Sequence, residues 1–425
     1  MQLAIDGGAP ARRKSLPENY PGAVLIGKEE VDLAVQTLFA QSPFRYYGPE
    51  VQGAVRKFEE TMARDLGVPY ALGVSSGTAA LIVALKALGI GYGDKVIVPA
   101  NTFIATAGAV VCANAVPVFA DVDDSLNVDP NDLERVVDDE VKAIITVPIL
   151  GNACDMDPIM AFANARGIYV IEDVAQSCGT MYKGKYAGTI GHVGTFSFQM
   201  NKVITAGEGG AVVTQDSHTF DRVVRYHDQG LFRDKERYSI DSPEGANAFI
   251  GQNYRMSEIS GAVLRAQWAK LNNIVKKMRE NCHAVQQALL AEIPQLTYRK
   301  IVDQAGDIGS NLGMILPTPG IAARFTEALH AENIQVYTLY GGQPIYMAPQ
   351  IFRQQTVERD RFPFNYPFKH PVRYTEDMCP RAQDLIPRTV FLPISPLLTA
   401  QDLEEIATGI VKVYRGLHNE GAFSV

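Results

Sequence analysis

The chain has 425 residues, 47% hydrophobic and 20% charged, with a formal net charge of −8. That composition fits a folded chain of two or three domains and leaves no basic surplus to neutralise nucleic acid or an acidic membrane surface. No apolar run approaches the roughly 18 residues that cross a bilayer, and the opening Met-Gln-Leu-Ala-Ile-Asp lacks the basic-then-apolar layout of a secretory signal.

From Tyr70 to about Asp216, short apolar strands alternate with helical stretches. Strands are predicted at Tyr70–Val74, Lys95–Val98, Val116–Val122, Lys142–Pro148, Tyr169–Glu172, Thr195–Phe198 and Gly210–Thr214. Runs such as Val-Ile-Val and Ala-Ile-Ile-Thr-Val suit strands covered on both faces. Helices are expected at Thr78–Leu88, Ile104–Ala113 and Pro158–Arg166, which together predict an α/β fold with a mainly parallel sheet. The stretch from Thr195 to Thr214 has no room for a helix and reads as a hairpin or antiparallel edge. Further on, Arg255 to about Leu290 reads as a long helix, followed by a smaller α+β unit with helices Ile321–Glu332 and Ala400–Tyr414. The expected division is an N-terminal arm (1–24), a large domain (25–265) and a small C-terminal domain (266–425). Met347–Arg381 reads as a long irregular loop, of a length that usually covers a site or an interface.

Five segments carry chemistry. Ser75-Ser76-Gly77-Thr78-Ala79-Ala80-Leu81 follows a strand and opens a helix. Free amides and a positive dipole end make such a place receptive to anions, with Thr78 adding a hydroxyl; a Ser/Thr N-cap without ligand is the plainer alternative. In Glu172-Asp173-Val174-Ala175-Gln176 a carboxylate stands at the C-terminal end of a buried strand, the edge where ligands of open α/β sheets collect. A carboxylate there could pair with a protonated pyridine nitrogen, or simply cap the next element. Ser197-Phe198-Gln199-Met200-Asn201-Lys202 then places a lysine between a strand and the turn Gly207-Glu208-Gly209-Gly210. Burial can lower a lysine's pKa and free its amine for a Schiff base. Phe103, in Asn101-Thr102-Phe103, could stack on a planar ring or belong to the core. Asn253-Tyr254-Arg255-Met256-Ser257-Glu258 joins two candidate anion contacts, Asn253 and Arg255, to a helix start.

Taken in order, Ser-Gly-Thr-Ala-Ala-Leu, Asn-Thr-Phe-Ile-Ala-Thr, Glu-Asp-Val-Ala-Gln, Phe-Ser-Phe-x-x-x-Lys, Gly-Glu-Gly-Gly and Asn-Tyr-Arg-Met-Ser-Glu resemble the DegT/DnrJ/EryC1/StrS aminotransferases, from about Gly27 to Ile410. The resemblance implies a fold type I pyridoxal 5'-phosphate enzyme with a seven-stranded sheet, which passes through pyridoxamine 5'-phosphate. It implies an amino-acid donor (glutamate or glutamine) and a keto-sugar or keto-cyclitol acceptor. Residue by residue, it implies that Lys202 is the Schiff-base lysine, Asp173 the partner of the pyridine nitrogen, and Gln176 the neighbour of the phenolic oxygen. Phe103 would stack on the ring, and Gly77, Thr78 and Ser197 would cradle the phosphate. Asn253 would reach that phosphate from a neighbouring subunit, which implies a homodimer with shared active sites.

Gln199 stands where many sugar aminotransferases of the family have His, and the motif resembles the branch of scyllo-inosose aminotransferases and aminohydroxybenzoate synthase. Phe44–Pro49 resembles an aminotransferase making an amino octulosonate. A deoxysugar dehydratase or a non-catalytic cofactor-binding regulator are the rival readings; Lys202 favours transamination, because dehydratases of the family carry His there. Tyr337, Tyr340, Gln343 and Tyr346 are candidate polyol contacts. No metal site is expected from His192, His227 and His370 or from the five scattered cysteines, and reduced thiols suit a cytoplasmic protein.

Overall fold

The computed structural model describes residues 2–238, 240 and 248–419. Its strands begin with β1 (Tyr70–Val74), β2 (Lys95–Pro99), β3 (Val116–Ala120), β4 (Val141–Thr146) and β5 (Tyr169–Asp173). A small hairpin, β6 (Met181–Tyr182) and β7 (Lys185–Tyr186), precedes β8 (Val193–Ser197) and β9 (Gly210–Thr214). Seven of these form one sheet in the order β1-β9-β8-β5-β4-β2-β3. Neighbours from β3 through β8 are parallel, while β9 runs antiparallel to both β1 and β8. The antiparallel pairing of β8 and β9 agrees with the sequence, but β9 lies inside the sheet. The edges are β1 and β3. Because β9 opposes both its neighbours, β1 and β8 point the same way, so the C-terminal ends of β1, β2, β4, β5 and β8 share one edge.

Each strand divides its side chains between two cores, as a two-residue period requires. Along β2, Val96 and Val98 join one apolar cluster and Ile97 another; along β9, Val212 faces one way and Ala211 and Val213 the other. Helix Gly77–Ala87 is apolar around nearly its whole circumference and almost fully buried, as expected of a helix packed between sheet and further helices.

A single helix of 35 residues, Glu258–Glu292, runs for about 50 Å. It starts three residues later than the sequence suggested because Ser257 caps it, accepting from the Ser260 amide at 3.1 Å. The expected domain division at 265/266 falls within this unbroken helix. Beyond it, β10 (Thr297–Tyr298), β11 (Asn311–Ile315) and β12 (Thr389–Pro393) form an antiparallel sheet. Helices Pro319–Ala331, Pro380–Arg388 and Ala400–Asn419 accompany it.

The N-terminal segment is latched to this second unit. Buried Arg12 pairs with Asp402 at 2.7 Å and Glu405 at 2.8 Å, and Glu332 accepts from the amides of Ala4 and Ala11. Residues 347–381 are irregular as expected, apart from short helical turns. They pack along β2 and β3: Tyr374 Oη donates to the Pro117 carbonyl at 2.7 Å, and Lys95 Nζ to that of His370 at 2.7 Å. None of them lines the main cleft. Among the described residues, no helix is long and apolar enough to cross a membrane.

Candidate active site

A cleft of about 990 Å³ opens at the shared edge of the sheet. Gly77, Thr78, Phe103, Asp173, Gln176, Ser197 and Lys202, all singled out from the sequence, line it together. Asn253 does not. It is exposed, outside its own chain's cleft, and its side-chain oxygen accepts from the Arg255 amide at 3.4 Å. Arg255 in turn is paired with Asp228.

The anion-receptive corner is built by close backbone approach. Ser76 caps helix Gly77–Ala87, its hydroxyl accepting from the Ala79 amide at 3.0 Å. The two amides before that one, Gly77 and Thr78, have no partner among the described residues. A Cβ on Gly77 would lie 2.6 Å from Ser197 Cβ, and one on Gly210, which pairs with both Val74 and Ser197, would lie 2.3 Å from the Ser76 carbonyl oxygen. The glycines therefore let the helix start, the end of β8 and the start of β9 converge.

Alternation along β5 separates its two carboxylates. Glu172 turns away from the cleft and accepts from the amides of Gly188, Ile190 and Gly191, fastening the loop before β8. Asp173, at the strand's end, faces the cleft. It is buried, with only 4% exposed, and accepts from Thr106 Oγ1 at 2.8 Å and from the Ala175 amide at 3.2 Å. Burial raises its pKa, opposed by the Thr106 bond, the Ala175 amide and the charge of Lys202. The Lys202 amine is pushed the other way: burial lowers its pKa, partly offset by Asp173. The turn that carries Lys202 is held by Thr205 Oγ1 on the Phe198 carbonyl at 3.0 Å and by the Lys202 amide on Gln199.

On the opposite wall, Gln176 Nε2 donates to Tyr340 Oη at 2.9 Å. Phe103 is 54% exposed at the cleft, its ring centroid 6.4 Å from that of Tyr340. Tyr337 Oη donates to Asn311 Oδ1 at 2.8 Å, giving this wall hydroxyls and amides. Of the other candidate polyol contacts, Gln343 and Tyr346 lie outside the cleft. Tyr346 is fully buried and donates to the Glu376 carbonyl at 3.0 Å, which makes it a core residue. Sequence reasoning missed Thr106, a single hydroxyl inside an alanine-rich helix, and the segment Ser15–Pro21, which lines the cleft from the latched arm. Asn311 and Ser310 were missed too, since nothing local marks the start of β11.

These residues fit pyridoxal phosphate: unpaired amides at a helix start suit its phosphate, a buried carboxylate its ring nitrogen, and a half-buried lysine its aldehyde. A mainly parallel sheet with such a lysine and carboxylate at its C-terminal edge fits the fold type I class of pyridoxal-phosphate enzymes. The sequence profile of the DegT/DnrJ/EryC1/StrS aminotransferase family matches residues 26–411, and the chain belongs to that family. It is 31% identical over 436 residues to the L-glutamine:2-deoxy-scyllo-inosose aminotransferase of Streptomyces fradiae, covering 97% of each chain. To the GDP-perosamine synthase of Escherichia coli O157:H7 it is 38% identical over 268 residues, 63% of this chain and 69% of that one. The crystal structure of an aminotransferase from Psychrobacter cryohalolentis superposes with a TM-score of 0.81 at 27% identity, covering 95% of this chain and all of the other.

Proposed function

We propose that this enzyme transfers an amino group from glutamine or glutamate to a keto-sugar or keto-cyclitol, with pyridoxal phosphate held covalently by Lys202. The observation that carries the proposal is the convergence of Lys202, its pKa lowered, with a buried Asp173 fixed by Thr106 at one edge of the sheet. Bound there, pyridoxal phosphate supplies an electron sink and a temporary carrier for the amino group. Lys202 Nζ, neutral more readily because it is desolvated, takes a proton from the donor's α-carbon and returns one to the acceptor carbon. Asp173 holds the ring nitrogen protonated. The amides of Gly77 and Thr78, with the hydroxyls of Thr78 and Ser197, would hold the phosphate, and Phe103 would supply an aromatic face to the ring. Asn253, exposed and not among the residues lining its own chain's cleft, would reach the neighbouring subunit's phosphate site in a homodimer.

The names of the relatives support glutamine as the first donor to test, and the hydroxyl-and-amide wall of Tyr337 and Asn311 supports a polyhydroxylated acceptor. The test is the visible absorption of the purified protein before and after addition of glutamine or glutamate. Loss of the cofactor band with release of the keto acid is expected. No band after reconstitution with pyridoxal phosphate would overturn the reading.

A further inference from the structure

Tyr340 departs from what a cleft-wall tyrosine needs merely to fill space. Its backbone lies in the left-handed region (φ 50, ψ 33), followed by Gly341 at φ 67. Few non-glycine residues adopt that conformation, which costs energy that surrounding contacts must offset. Here the conformation delivers the ring across the cleft. Its hydroxyl meets Gln176, three residues past the end of β5, and its ring faces Phe103, four residues past the end of β2. One residue from the segment leading to β12 thus touches two of the loops that form the cleft floor. The half-buried phenol stays protonated, its pKa pushed up by desolvation. The Gln176–Tyr340 bond is the only hydrogen bond of either side chain among the described residues, so no other hydrogen bond orients the Gln176 carboxamide.

We propose that Tyr340 is a positioning residue that tunes the bound cofactor through Gln176, by holding the carboxamide so that its second N–H points at the phenolic oxygen. This rests on the reading that Gln176 is the neighbour of that oxygen. A donated N–H stabilises the phenolate and weakens its hold on the proton shared with the lysine-linked nitrogen. Losing that donor raises the pH at which the visible band of the loaded protein titrates.

The experiment is a spectrophotometric pH titration of the loaded wild type, Tyr340→Phe, Gln176→Ala and the double variant; Tyr340→Phe keeps the ring and its packing. Tyr340→Phe is expected to raise the midpoint by roughly half a pH unit or more, the scale of one neutral hydrogen bond. Gln176→Ala is expected to raise it at least as far, and the double variant no further than Gln176→Ala, as for two residues acting in series. An unchanged midpoint in Tyr340→Phe while Gln176→Ala shifts overturns the coupling alone. So does a shift of the same size in both backgrounds, which would make Tyr340 act independently. An unshifted Gln176→Ala overturns the placement of Gln176 beneath it. Absence of any visible band in the wild type overturns the cofactor reading as a whole.

Discussion

Thr106 Oγ1 donates to Asp173 Oδ2 at 2.8 Å, tying the helix after β2 to the end of β5 beneath the cleft. Thr106 is itself in contact with Thr102 Oγ1 at 2.7 Å, so the carboxylate sits at the end of a short hydroxyl chain sealed from solvent. Thr106→Val keeps the volume and removes the donor. The expected loss is about 1–3 kcal/mol of stability, since one carboxylate oxygen is left buried with a bond unmade. Chemical denaturation with and without cofactor checks it, and affinity for pyridoxal phosphate is expected to fall in parallel.

Asp173 also sets a pH dependence whose sign follows from its raised pKa. A carboxyl that binds its proton more tightly folded than unfolded makes the fold less stable as pH rises from the unfolded value through the folded one. Above that window the full cost of the buried charge is present. Asp173→Asn removes the charge and leaves an acceptor for Thr106. Without cofactor, the variant is therefore expected to melt above the wild type at pH 8, the difference shrinking as pH falls through the carboxyl's range. Turnover is expected to drop at least roughly a hundredfold, since the ring nitrogen loses its ionic partner. Thermal melts of the cofactor-free protein against pH, beside a turnover assay, separate the two effects.

The glycines at the anion corner give a sharper steric case. Gly210→Ala places a methyl 2.3 Å from the Ser76 carbonyl oxygen, which is backbone and cannot swing aside. Overpacking of this kind costs about 1–3 kcal/mol, and here it pries apart β9 and the helix start that presents the Gly77 and Thr78 amides. Weaker binding of inorganic phosphate as well as of pyridoxal phosphate is expected by calorimetry. Gly207→Ala, with open space around its Cβ but a left-handed φ of 79, is expected to be destabilised without that loss of phosphate affinity.

How much of this was legible beforehand depends on the range of the interactions involved. The strands of the large sheet were legible as short apolar runs such as Val-Ile-Val alternating with helical stretches, and the motif residues fall at their C-terminal ends by chain order alone. Pairing order is a long-range matter. Nothing local in Gly210–Thr214 says that it inserts between β1 and β8, although Gly210 makes the close approach to the Ser76 backbone possible. The same holds in the site. Lys202 and Asp173 stand out by chemical type, whereas Thr106 matters only because β2 and β5 bring it under a carboxylate 67 residues away. Tyr340 and Tyr346 looked alike in sequence. The left-handed turn at Tyr340 and Gly341 sends one into the cleft and the other into the core.

The position of Asn253 leads to the last expectation, which concerns assembly. Its side chain is exposed and is not among those lining the cleft that Lys202 occupies in the same chain. If each site takes its lysine from one protomer and its asparagine from the other, two defective variants complement each other. Lys202→Ala alone is expected to be inactive, and Asn253→Ala to bind cofactor weakly. Coexpressed in equal amounts, random pairing puts half of the protomers' dimers in the mixed form, each with one intact site, so roughly a quarter of wild-type turnover is expected. The assay is turnover of the coexpressed mixture at limiting cofactor against the two pure variants. Activity no greater than the average of the two pure variants would mean that Asn253 serves no neighbouring site.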